Sequence, residues 1–129
     1  RIVLVDDSIV RGTTSRKIVA MMRDAGAKEV HFRIASPPIK FPDYYGIDMP
    51  ERDKLLAANM TLDEMAAYLG ADSLAFISID GLYRALGEDG RNMVHPQFTD
   101  HYFTGEYPTP LADMTGENVK QLSLLAEAS

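Results

Sequence analysis

RIVLVDDSIVRGTT, residues 1–14, opens the chain. Its unbroken apolar run, Ile2 to Val5, predicts a strand covered on both faces, as strands of a parallel sheet usually are. Two adjacent acids, Asp6 and Asp7, follow it. A short polar turn then ends in Arg11-Gly12-Thr13-Thr14, and the pattern becomes helical. From Thr14 to Ala25 the apolar positions Ile18, Met21, Met22 and Ala25 recur at helical spacing. Strand, polar loop and helix N-terminus in one pass form the junction at which open α/β sheets hold ligands.

Gly26 stands where a left-handed helix cap belongs. In EVHFRIAS (29–36), Val30, Phe32 and Ile34 alternate with His31 and Arg33, predicting a second strand. Its polar face places it near a sheet edge or under a polar cover. Strand, helix and strand in such succession predict a right-handed βαβ unit. Residues 37–50, PPIKFPDYYGIDMP, carry four prolines together with Ile39, Phe41, Tyr44, Tyr45 and Ile47. That composition predicts an ordered loop. A short helix is expected over 51–58. A firmer one runs from Thr61 to Leu69, with Thr61 and Glu64 as a capping box and Leu62, Met65, Ala66 and Leu69 on one face. Ser73 to Ile77 is a third strand, and 80–86 a short helix stopped by Gly87. Residues 88–114 lack a regular period, and Thr115 caps a last helix with Val119, Leu122 and Leu125 inward. Met21, Met22 and Met65 are expected to fill the core. Three strands are few for such a sheet, so further chain or a second copy should cover its apolar edge.

The 129 residues carry 13 Lys and Arg against 19 Asp and Glu, a formal charge of −6 that argues against nucleic acid as a partner. No apolar run reaches the roughly 20 residues a membrane helix needs, so no membrane partner is expected. There is no cysteine, hence neither a disulfide framework nor a thiolate nucleophile, and the cytoplasm is the expected compartment. The chain opens at Arg1, inside a strand and without Met, which reads as a piece of a longer protein.

The chemistry of the opening stretch follows from its residues. Gly12 permits a tight turn and close approach of a ligand to the backbone. The loop and first helical turn present unpaired N–H groups, an anion site to which Thr13 and Thr14 add hydroxyls. Asp6 and Asp7 stand where they can accept from sugar hydroxyls or hold a hard cation such as Mg²⁺. A phosphate cradle beside two carboxylates describes a phosphosugar site. The plainer alternative, that Asp7 and Ser8 only cap and Gly12 only starts a helix, does not account for the whole arrangement. The Lys of G-x-x-x-x-G-K-S/T is missing, so an ordinary NTPase loop is not indicated. Response-regulator receivers also carry an acidic pair after the first strand, and Asp48-Met49-Pro50 resembles their D-x-x-M-P. Here, however, the residue three before Met49 is Gly46, and a receiver has no use for Gly12-Thr13-Thr14. Among the other polar residues, Arg11 belongs to the loop, whereas Arg16 and Lys17 read as solvated charges. His31, His95 and His101 have no metal-ligand spacing and read as surface or core histidines. Tyr44, Tyr45 and Asp48 lie in a loop that could reach the site, though packing is the simpler role.

Residues 3–14 resemble the phosphoribosyl pyrophosphate (PRPP) signature of type I phosphoribosyltransferases. The resemblance implies a partial phosphoribosyltransferase fold, α/β with a parallel sheet, flanking helices and a C-terminal helical tail. It implies PRPP binding by Asp6, Asp7, Ser8, Ile9, Val10, Arg11, Gly12, Thr13 and Thr14. Ser8 to Thr14 would hold the 5-phosphate, and Asp6 and Asp7 would face the ribose hydroxyls and Mg²⁺. DDSIVRGTTS, AGAKEVHFRIASPPIKFPDYYGIDMP, TLDEMAAYLGADSLAFIS and FTGEYPTP together resemble the C-terminal part of the glutamine PRPP amidotransferases, across nearly the whole chain. That family makes 5-phosphoribosylamine from PRPP and ammonia, the ammonia coming from an N-terminal glutaminase domain. The resemblance makes residues 1–87 the end of the phosphoribosyltransferase domain and 88–129 an extension docking on the glutaminase domain, with FTGEYPTP as a docking turn. It implies purine nucleotides as inhibitors, a homo-oligomer, and no complete reaction by this stretch alone. Some members carry a 4Fe–4S cluster whose thiolates match Asp43, Thr99 and Tyr102, so no cluster is expected here. The alternatives are another phosphoribosyltransferase, a non-catalytic nucleotide-binding regulator of the same fold, and, more remotely, the receiver.

Overall fold

A computed structural model describes residues 1–47 and 49–109. Asp48 and the expected helix behind Thr115 lie outside the described residues. The order is β1 (Ile2–Asp6), α1 (Thr13–Asp24), β2 (Val30–Ile34), a 3₁₀ turn (Arg52–Lys54), α2 (Leu56–Asn59), α3 (Leu62–Leu69), β3 (Ser73–Phe76), α4 (Ile79–Ala85) and α5 (His101–Thr104). No described helix is long and apolar enough to cross a membrane.

The three strands form a parallel sheet in the order β1-β2-β3, with Leu4 opposite Phe32 and Phe32 opposite Leu74. Because side chains alternate across a strand, one face collects Ile2, Leu4, Val30, Phe32, Ile34 and Leu74. α1 and α3 cover that face, and Val19, Met65 and Leu69 complete the core with Ile9 and Leu56. The order also excludes the receiver, whose first strand sits between the second and third. Here the second strand is central.

Four expectations need correction. β1 is not covered on both faces: Val3 and Val5 are 65% and 68% exposed. They point away from α1 and α3, where no described element packs. Nor is β2 near an edge. Its polar face is accommodated across the sheet, where His31 Nδ1 and Arg33 Nη1 lie 2.9 and 3.0 Å from Ser73 Oγ. Met21 points to solvent, 62% exposed, while Met65 is buried as expected. Leu62, too, is half out of the α3 face that Met65 and Leu69 bury.

Local signals hold where the chain is short-range. The α3 capping box is complete: Thr61 Oγ1 accepts from the Glu64 N–H, and Glu64 accepts from the Thr61 N–H at 2.7 Å. Asp72 ties three elements. Its carboxylate accepts from the Val30 N–H at 2.7 Å and from Arg23 of α1 at 2.6 Å. Those bonds hold its pKa below the ordinary value.

Beyond α4 the chain is organised around Asp100. Its carboxylate accepts from Arg91 Nε at 2.5 Å, Tyr83 Oη at 2.9 Å and Thr104 Oγ1 at 3.1 Å. Burial pushes its pKa up, but the bonds from Arg91, Tyr83 and Thr104 outweigh burial and hold it below the usual carboxylate value. A depressed carboxylate contributes stability above its unfolded pKa, about 3.9, and the contribution disappears as pH falls through the folded value. The 83–106 region should therefore lose protection from hydrogen exchange as pH drops below about 4. Asp100→Asn, weaker at neutral pH, should lack that acid step. Equal acid sensitivity in the two proteins would contradict the assignment.

Candidate functional site

The loop from Asp6 to Thr14 leaves the end of β1 and enters α1 at Gly12, the residue that opens the helix. Gly12 has φ +75°, a left-handed backbone, and no side chain caps the helix there. A β-carbon at this position would stand 2.7 Å from Leu56 Cδ2 and 3.2 Å from Tyr68 Cε1. Gly12 is thus required twice, by its torsion and by the close passage of α2 and α3. Ile9, 1% exposed, plugs the loop into the core. The Leu56 N–H donates to Val10 O at 2.8 Å and fixes the loop from the other side.

Held in this way, the loop turns donors outward. No described residue accepts from the backbone N–H groups of Arg11 to Thr14. Four such groups at the positive end of α1 leave donors available to an anion. They border a cleft of about 460 Å³, lined by Asp6, Asp7, Ser8, Val10 and Arg11 to Thr14, with Ser15, Ile18 and Pro50. Of the expected residues only Ile9 turns its side chain away, which limits it to a backbone or anchoring role.

The acids face the same cleft. Asp6 Oδ1 accepts from the Asp7 N–H at 3.0 Å and Asp7 Oδ1 from Ser8 Oγ at 3.2 Å. Each Oδ2 is without a hydrogen-bond partner among the described residues. Two carboxylates with free oxygens fit Mg²⁺ in its usual manner, shared with waters and ligand phosphates. They do not by themselves close a metal shell, and no group of three metal-ligating side chains occurs among the described residues.

Reading the sequence missed Pro50 and Ser15. Pro50 arrives in the cleft from the 37–50 loop, and no local signal marks it. Tyr44 and Tyr45 take the packing role: the Tyr44 N–H donates to Tyr107 Oη at 3.2 Å, and Tyr45 Oη lies 2.8 Å from Thr109 Oγ1. Arg16 lies over the Tyr68 ring, 5.2 Å from its centre, and Arg11 is solvent-exposed at the rim.

The residues at the positions matched to cluster thiolates do not fit iron. The sequence has no cysteine, and the Asp43 carboxylate is buried in hydrogen bonds from His101 and from the N–H groups of Tyr45 and Ile47. Thr99 is exposed.

A three-stranded parallel sheet with flanking helices, and a loop with paired acids lining one cleft at the end of its first strand, place the chain in the α/β class. Comparison with protein-family models finds no match. Among curated proteins, the chain is 66% identical over 128 residues to the amidophosphoribosyltransferase of Rhizobium etli, covering 98% of this chain and 26% of that protein. The glutamine PRPP amidotransferase of B. subtilis, solved with ADP and GMP, superposes with a TM-score of 0.71 at 45% identity, over 85% of this chain and 24% of that one. A structure described as the allosteric regulatory enzyme of purine biosynthesis gives 0.72 at 46% identity, over 89% of this chain and 24% of that one. The chain belongs to the amidophosphoribosyltransferases as a segment spanning about a quarter of the length of these relatives.

Proposed function

We propose that residues 6–14 bind PRPP in an amidophosphoribosyltransferase that makes 5-phosphoribosylamine at the first step of purine synthesis. The observation that carries this reading is the row of free N–H groups from Arg11 to Thr14 beside Asp6 and Asp7 in one cleft. The 5-phosphate would take those N–H groups and the hydroxyls of Thr13 and Thr14. Asp6 and Asp7 would accept from the ribose hydroxyls. Mg²⁺, held partly by these acids and partly by the ligand, would neutralise charge on the pyrophosphate. Ammonia attacks C1, a C–N bond forms, and the C1–O bond to pyrophosphate breaks with the electron pair leaving on oxygen. The contribution of this chain to that step is position and electrostatics.

The glutamine that yields the ammonia, purine nucleotides as inhibitors, a homo-oligomeric assembly and a cytoplasmic setting belong to the same proposal. The B. subtilis relative, solved with ADP and GMP, supports the nucleotides. We assign residues 1–87 to the phosphoribosyltransferase domain and 88–129 to an extension docking on a glutaminase domain. Asp6→Asn combined with Asp7→Asn should weaken PRPP binding to the full-length protein by roughly 10- to 100-fold in titration calorimetry, the loss expected for charge-assisted hydrogen bonds. Its dependence on Mg²⁺ should also flatten. Unchanged affinity would remove the acids from the site.

A further inference from the structure

We propose that a buried Asp43–His101 clamp fastens the segment 99–107 to the loop that follows β2, and that it does so without a metal. The proposal rests on how the two stretches meet and is independent of the ligand in the phosphate cleft.

Asp43 has no exposed side-chain surface and His101 only 2%. The carboxylate accepts from His101 Nε2 on one oxygen. On the other it accepts from the N–H groups of Ile47 at 2.7 Å and Tyr45 at 3.0 Å. Burial, with the Asp43 charge nearby, raises the pKa of the Tyr102 hydroxyl. The carboxylate is therefore committed on both oxygens. The imidazole is held between aromatic rings, with Tyr107 stacked at 4.5 Å and Tyr102 at 4.1 Å between centres. Its Nδ1 is buried with no hydrogen-bond partner among the described residues.

The clamp sits at the centre of a continuous contact. The N–H groups of Lys40 and Phe41 both donate to Tyr102 O, at 2.9 and 3.1 Å. Tyr107 Oη donates to Pro42 O at 3.0 Å. Gly105 passes so close to Phe41 that a β-carbon there would stand 2.9 Å from the ring. The loop so fastened runs on to Pro50, a wall of the phosphate cleft. A buried carboxylate that loses its partner leaves an uncompensated charge, so such a pair is a strong lock on whatever it joins.

The experiment uses the full-length protein, with Asp43→Asn, His101→Phe and the double variant, and reads the rate of limited proteolysis between residues 99 and 109. Each single variant should be cut faster by on the order of tenfold, and the double variant little faster than the worse single, because one interaction is lost in all three. Rates that multiply, or that do not change, would overturn the clamp. Should a variant fail to fold, hydrogen exchange of the unaltered protein decides: the amides of Tyr45, Ile47, Lys40 and Phe41 should be protected, and free exchange would overturn the proposal. Metal analysis completes it. Iron and zinc should be well below one per chain, with the melting temperature unmoved by a chelator. A stoichiometric metal whose removal lowers the melting temperature would show that the junction is metal-held instead.

Discussion

Replacing Gly12 by valine should abolish measurable PRPP binding, raising Kd by about 100-fold or more. Two costs combine at this residue. Its φ of +75° lies in the left-handed region, which a β-branched residue occupies at a cost of about 1–3 kcal/mol. In addition, the first carbon of the new side chain would overlap Leu56 Cδ2 at 2.7 Å, before the two methyls are counted. The chain can relieve both only by moving the loop away from α2, which breaks the Leu56 N–H to Val10 O bond and turns the N–H groups of Arg11 to Thr14 out of alignment. Displacing a binding group by about 1 Å is enough for a loss of this order. Gly12→Ala with Leu56→Ala removes the overlap but keeps the torsional cost, so it should recover part of the affinity. Titration calorimetry on the full-length protein measures all three, and normal affinity in Gly12→Val would remove the loop from the site.

The second large effect is on stability. Arg91→Met should cost about 3–5 kcal/mol, the usual result of removing one partner of a buried ion pair. The side chains of Arg91 and Asp100 are each 5% exposed and joined at 2.5 Å. The bonds it donates to Asp100 raise the pKa of Arg91, so its charge is fixed at any ordinary pH. Without the guanidinium, the Asp100 carboxylate keeps Tyr83 and Thr104 as donors but has no opposite charge beside it. Glu106, which also meets Arg91, is 60% exposed and adds little. Converting Asp100 to leucine in the same chain should restore much of the loss, because the stranded charge then disappears. Denaturant unfolding of the single and double variants tests this. A loss below about 1 kcal/mol for Arg91→Met would mean that the pair is solvated.

What the sequence made legible was local. Ile2 to Val5, Gly12 and the threonines mark a strand, a loop and a helix start within fourteen residues, because each feature is set by neighbours in the chain. The Thr61–Glu64 box is legible for the same reason. Periodicity, however, shows that a face is apolar and not what covers it, so Val3, Val5 and Met21 were expected inside and are exposed. The central place of β2 was hidden because His31 and Arg33 are satisfied by Ser73, a partner defined only by strand register. Pro50 and the Asp43–His101 pair were beyond local pattern altogether. The latter joins residues 58 positions apart, and no repeat or spacing rule connects an aspartate in a proline-rich loop to a histidine near FTGEYPTP.

We propose that the 5-phosphate of PRPP sits on the N-terminus of α1. A crystal structure of the full-length protein with ribose 5-phosphate tests it most directly. The phosphate oxygens should lie within hydrogen-bond distance of the N–H groups of Arg11 to Thr14, with the ribose hydroxyls toward Asp6 and Asp7. Ribose 5-phosphate bound elsewhere, with the loop unoccupied at a saturating concentration, would overturn this placement.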